Sequence, residues 1–141
     1  MSVTYFKIQN LDNNTQEDKI FAIGKAMLEF LTEDEIDELV FDTYKDNEIA
    51  IAFLPEYKIN RLRTVFVDAE ILIEEIDITD FILTGEIQKN KFMSDIFKDE
   101  NALVSLEKFL RNNLTADLIL DKISDLGVEF LTELDKEILS A

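Results

Sequence analysis

A chain of 141 residues suits one compact domain or two very small halves sharing a core. Apolar residues make up 47% and Phe occurs eleven times, so a packed core is expected despite a net charge of −17. With no His and no Cys, Ser-His-Asp and Cys-His catalysis, disulfides and the zinc sites built on those ligands are excluded.

The acid excess is uneven. Residues 1–57 carry a net of −9, residues 58–91 a net of −2 and residues 92–141 a net of −6. Such a field repels nucleic acid and anionic membrane and draws in basic partners, although acidic surfaces also serve solubility alone. The amino terminus has no basic stretch followed by a long apolar one, and no apolar run approaches the roughly 20 residues a bilayer requires. Three Gly and one Pro leave no room for a flexible linker. The expectation is a cytoplasmic protein without membrane or direct nucleic-acid binding.

In chain order, Val3 to Ile8 is β-branched and aromatic and predicts a strand, followed by a turn cluster over Asn10 to Asn14. Thr15 and Asp18 resemble a capping box ahead of a helix over Gln16 to Leu31. Its apolar face is Ile20, Ile23, Met27, Phe30 and Leu31, and Phe21 and Leu28 widen it toward burial on two sides. Thr32 and Glu35 form a second capping box, leading through a short turn into a strand over Leu39 to Tyr44. The polar turn Lys45-Asp46-Asn47 then joins it in a hairpin to Glu48 to Leu54. Pro55 opens a helix with Ile59, Leu62, Val65 and Phe66 on one face. Ile71 to Ile73 and Ile76 to Ile78 predict a fourth strand, with Glu74-Glu75 as a bulge. The order β-α-β-β-α-β is that of the ferredoxin-like split βαβ arrangement.

Beyond Asp80 the pattern is helical. Phe92, Met93, Ile96 and Phe97 form a short apolar face. Asp99 caps a helix facing inward through Leu103, Leu106, Phe109 and Leu110. Thr115 starts another, with Leu118, Ile119, Ile123 and Leu126 inward and Gly127 past its end. Thr132 and Asp135 make a last capping box. The class expected is α+β: a ferredoxin-like half over residues 1–84 and a helical half over 85–141 packed on it, as one cooperative unit. The helices are too short to stand alone, so they pack on the sheet or join two copies in a homodimer.

The stretch from Leu120 to Gly127, followed by Phe130-Leu131-Thr132 and Lys136 to Leu139, resembles a short helical-hairpin tail. Similar tails end some bacterial rhomboid-family membrane proteins and many small bacterial proteins. The resemblance covers the last 25 residues or so and implies two capped helices. Rhomboid protease activity is not implied, since transmembrane helices and a catalytic His are missing from this sequence.

No glycine-rich phosphate cradle can be written around Gly24, Gly85 and Gly127, and Asp12 to Ile23 lacks the Gly and terminal Glu of a calcium loop. No cofactor or metal is therefore assigned. Carboxylate chemistry needs only Asp and Glu, and Glu74, Glu75, Asp77 and Asp80 are the group to watch. Lys58, Arg61 and Arg63 are the compact basic group, read first as partners of nearby acids. Two patches are candidate partner surfaces. One is the acidic turn Glu33, Asp34, Glu35, Asp37 and Glu38, and the other is Phe92, Met93, Ile96 and Phe97, if that short helix leaves large apolar groups exposed. Composition thus favours a non-enzymatic adaptor, inhibitor or immunity-type protein that binds a basic partner protein. The alternatives are a carboxylate-dependent enzyme of the Mg type and a nucleic-acid mimic that blocks a DNA- or RNA-binding protein.

Overall fold

A computed structural model describes residues 1–9, 16–44 and 47–140. The chain divides into two compact units, Met1–Ile78 and Thr79–Ala141. It is a mixed α/β protein. The first unit holds a four-stranded antiparallel sheet, and the described residues of the second form helices and turns only. No helix among the described residues is long and apolar enough to cross a membrane.

The strands are β1 (Ser2–Gln9), β2 (Val40–Tyr44), β3 (Asn47–Leu54) and β4 (Leu72–Asp77), in the spatial order β2-β3-β1-β4. The hairpin pairing of β2 with β3 is as expected, from Val40 opposite Ile51 to Tyr44 opposite Asn47. The expected turn residues Lys45 and Asp46 lie outside the described residues, as do the Asn10 to Asn14 cluster and the Thr15 cap. No bulge interrupts β4. Residues Leu72 to Asp77 pair one-to-one with Gln9 to Thr4. Glu74 and Glu75 break the apolar run but not the pleat, because in a strand adjacent residues simply take opposite faces.

One sheet face is buried under helices α1 (Gln16–Met27) and α3 (Glu56–Asp68). Phe6, Ile8, Ala50, Ala52 and Leu54 from the strands meet Met27 of α1 and Ile59, Leu62 and Phe66 of α3. The two helices do unequal work. On α3 Ile59, Leu62 and Phe66 of the expected face are buried and Val65 is half-buried, and the rings of Phe6 and Phe66 lie 5.6 Å apart. On α1 the expected burial on two sides does not occur: Phe21 is 74% exposed, and Ile20 and Leu28 also face outward. The helix stops at Met27, and Leu28 to Phe30 form a turn. A cleft of about 370 Å³ separates α1 from the sheet, lined by Ile8, Met27, Leu39, Ala50 and Phe66 among others. Periodicity identified an apolar face on α1 but not how much of it a neighbour covers.

Two short features set the frame of this unit. Helix α2 (Glu33–Asp37) starts on the Thr32 capping box and runs into β2. Pro55 sits just before α3 as its cap residue, one position earlier than expected, and its carbonyl accepts from the Lys58 and Ile59 amides. At the far end of α3, Ile71 N–H donates to Phe66 C=O and Glu70 N–H to Val67 C=O. This closure puts Glu70 at φ 58°, a left-handed position usually given to Gly.

The second unit contains α4 (Thr79–Leu83), α5 (Lys91–Ile96), α6 (Glu100–Asn113), α7 (Ala116–Leu126) and α8 (Glu133–Ser140). Its starts follow side-chain caps: Asn90, Asp99 and Thr115 accept from the amides of Met93, Ala102 and Leu118. The Thr132–Asp135 capping box closes at 3.0 and 3.1 Å. On α6 the buried face is Ala102, Ser105, Leu106 and Phe109, while Leu103 faces solvent. The small residues at 102 and 105 share in the burial, so the buried face is offset from the purely apolar stripe.

Candidate partner-binding surfaces

The acidic turn is partly spent on holding the fold. Glu35 N–H donates to Thr32 Oγ1, Thr32 N–H donates to Glu35 Oε1, and Lys58 Nζ reaches both Glu35 oxygens at 2.6 and 2.7 Å. Burial disfavours the Glu35 charge. The Lys58 ammonium and the Thr32 donors outweigh it and hold the carboxyl below the ordinary glutamate range. Glu35 therefore belongs to the scaffold, and Glu38 is half-buried. Glu33, Asp34 and Asp37 are the members that face solvent.

The apolar candidates on α5 are placed differently from expectation. Met93, Ile96 and Phe97 are buried and Phe92 is half-buried. A six-residue helix contributes little stability of its own, so its large side chains are held in packing rather than displayed. This helix offers no open apolar patch.

The basic group is internally engaged. Lys58 pairs with Glu35, Arg61 lies over the Phe30 ring at 4.5 Å, and Arg63 Nη2 reaches Glu75 at 2.6 Å. Arg63 Nη1 also donates to Asn60 Oδ1 at 3.0 Å, while its Nε is buried without a partner. Arg63, Asn60 and Glu75 border a polar hollow of about 140 Å³ that also includes Ser2, Thr4, Glu56 and Asp77.

The carboxylates of β4 do not converge. Strand alternation puts Glu74 on one face with Leu72 and Ile76, and Glu75 and Asp77 on the other with Ile73. Among the described residues no group of three or more acidic side chains is close enough to hold a metal ion. Asp80 stands in the first turn of α4.

What alternation does create is an exposed border. β4 is an edge strand, and on its outward face Leu72 and Ile76 are 63% and 58% exposed with Glu74 between them. Tyr5 pairs with Ile76 in register on the same face. Burial, and then the Glu74 charge, raise its phenol above the ordinary tyrosine range. The pattern apolar-acid-apolar was legible in the sequence. The edge position that gives it meaning was not, because strand order depends on pairings distant along the chain.

Sequence reasoning also missed a buried ion pair in the second unit. Lys122 Nζ meets Asp135 Oδ2 at 2.6 Å, with side chains only 6% and 3% exposed. The same oxygen accepts from Thr132 N–H. The Lys122 stem lies against Gly85, where an added Cβ would come within 2.8 Å of it. The available signal was a Lys at helical spacing on the face of Leu118, Ile119 and Leu126.

No protein-family model, curated protein or solved structure matches this chain.

Proposed function

We propose that this chain is a non-enzymatic interaction protein of the adaptor, inhibitor or immunity type, acting in the cytoplasm on a basic surface of a partner protein. The observation that carries the reading is the uncompensated charge of the first unit. It holds 18 acids against 7 bases, and three of those bases, Lys58, Arg61 and Arg63, are occupied within the fold. Glu33, Asp34, Asp37 and Glu74 of β4 face solvent and project a negative field, which speeds encounter with a basic partner and disfavours nucleic acid. We also read the first unit as a ferredoxin-like split βαβ. Supporting this are β3 lying between β1 and β2, β1 lying between β3 and β4, and α1 and α3 sharing one sheet face.

The test is capture of partners on the immobilised chain at low and high salt with nuclease present, followed by binding measurements on the recovered protein. The expected result is a stoichiometric basic partner whose affinity falls as salt rises. The joint substitutions Glu33→Lys, Asp34→Lys and Asp37→Lys should slow association roughly tenfold at low salt. Binding indifferent to salt and to these charges would refute the electrostatic reading.

A further inference from the structure

We infer that the outer edge of β4 accepts an extended, basic segment of the partner as an added strand. The inference rests on the reading of the chain as a binder of basic proteins, and it specifies the surface and the conformation of what is bound.

The backbone supplies the first argument. Ile78 N–H donates to Val3 C=O at 2.8 Å, so residue 78 directs its peptide groups toward β1. In an antiparallel strand that direction alternates, so Leu72, Glu74 and Ile76 also point toward β1. Ile73 and Glu75 must then direct their N–H and C=O groups away from it, and β4 has no strand on that side among the described residues. An edge with unpaired peptide groups is a template for a further strand.

The side chains supply the second argument, and they select the occupant. On one face an added strand meets Leu72, Glu74 and Ile76, the two apolar members being well exposed. On the other it meets Ile73, Glu75 and Asp77. Directly opposed side chains couple, and like charges in opposition destabilise. The matching segment therefore has apolar residues opposite Leu72 and Ile76 and Lys or Arg opposite Glu74, the acid between them. Read along β4, that is apolar, any, basic, any, apolar, any. A second copy of this chain fits poorly. In the registers that its outward peptide groups allow, antiparallel pairing centred on β4 would set Glu74 against Glu74 or Glu75 against Glu75.

The test uses the full chain, isotope-labelled for amide NMR, and two capped synthetic peptides. One carries the pattern above, with Val at apolar positions and Lys at basic ones. The other has the same side chains but N-methyl groups on alternate peptide nitrogens, which blocks strand pairing without changing charge. The expected result is binding of the first peptide with slowed amide exchange at Ile73 and Glu75. The methylated peptide should bind at least about tenfold more weakly. Ile73→Pro, which removes an outward donor at an edge position and no charge, should weaken the first peptide comparably. Its fold is checked by the unchanged amide spectrum of β1 and β3. Equal binding of both peptides would overturn strand addition while leaving the charge-based reading intact. Failure of both to bind at low salt would overturn strand addition, and if the captured partner also bound indifferently to salt the broader reading would fall as well. Protection of Ile73 and Glu75 in the free chain, with a doubled molecular mass, would overturn the proposal in favour of self-association.

Discussion

In the first unit the deepest side chains are Phe6, Ile51 and Leu54, and the ion pairs Lys58–Glu35 and Arg63–Glu75 stay partly open to water. In the second, beside Ile119, a lysine and an aspartate are buried together. The sheet unit brings residues distant in sequence together and is filled by hydrocarbon, whose attraction needs no particular direction. The helical unit joins α7 to α8 through a contact that works only at one geometry, since an unmatched buried charge is strongly disfavoured. The difference teaches that bases of this acidic chain act both at half-open sites, where Lys58 steadies the start of α2 and Arg63 ties α3 to β4, and inside, where Lys122 fixes how two helices meet.

That contrast can be broken from either side. Phe6→Ala should cost the first unit about 4 kcal/mol through lost transfer energy and a residual cavity. Tyr5, Tyr44 and Tyr57 all lie in that unit and the chain has no Trp, so tyrosine fluorescence during denaturant unfolding reads it selectively. Asp135→Ala should cost the second unit about 3 kcal/mol, because Lys122 is left buried and unpaired. Adding Lys122→Met should recover about 2 kcal/mol of that, whereas an ordinary surface pair would show no recovery. Helical circular dichroism during thermal unfolding distinguishes the two outcomes.

A smaller effect sharpens the surface side of the comparison. Glu35→Gln should cost about 1 kcal/mol at neutral pH, since both partners are mostly but not wholly removed from solvent. Because the folded-state carboxyl lies below the ordinary glutamate value, its contribution is complete above the unfolded pKa. It is lost as pH falls through the folded one. The stabilities of wild type and Glu35→Gln should therefore converge in acid, as urea titrations across pH would show. The smallest change is a gain. Glu70→Gly relieves a left-handed residue and should raise the stability of the first unit by about 0.5 to 1 kcal/mol, visible as a later denaturation midpoint.

What the sequence disclosed was local chemistry. The caps at Thr32, Asp99, Thr115 and Thr132 and the stop at Gly127 are where their spacing put them, because each is decided within three or four residues. The hairpin and the buried face of α3 followed from alternation and helical period. Burial against distant elements was less legible. Phe21 faces outward, Met93 and Phe97 face inward, and the α6 face turns toward Ala102 and Ser105. An apolar residue records that it would gain from a neighbour, not that one is there. The candidate surface divided in the same way. The exposed members Glu33, Asp34 and Asp37 were named from sequence, but the edge of β4 required knowing which strands are neighbours.

The enclosure of Lys122 also gives the second unit a chemical clock. An amine-reactive reagent meets Lys98 and Lys136 at once, since both are more than half exposed. Lys122 can be modified only when α7 and α8 part and Asp135 releases it. Its labelling rate, followed by mass spectrometry without any substitution, therefore measures how often that helix pair opens while the chain remains native.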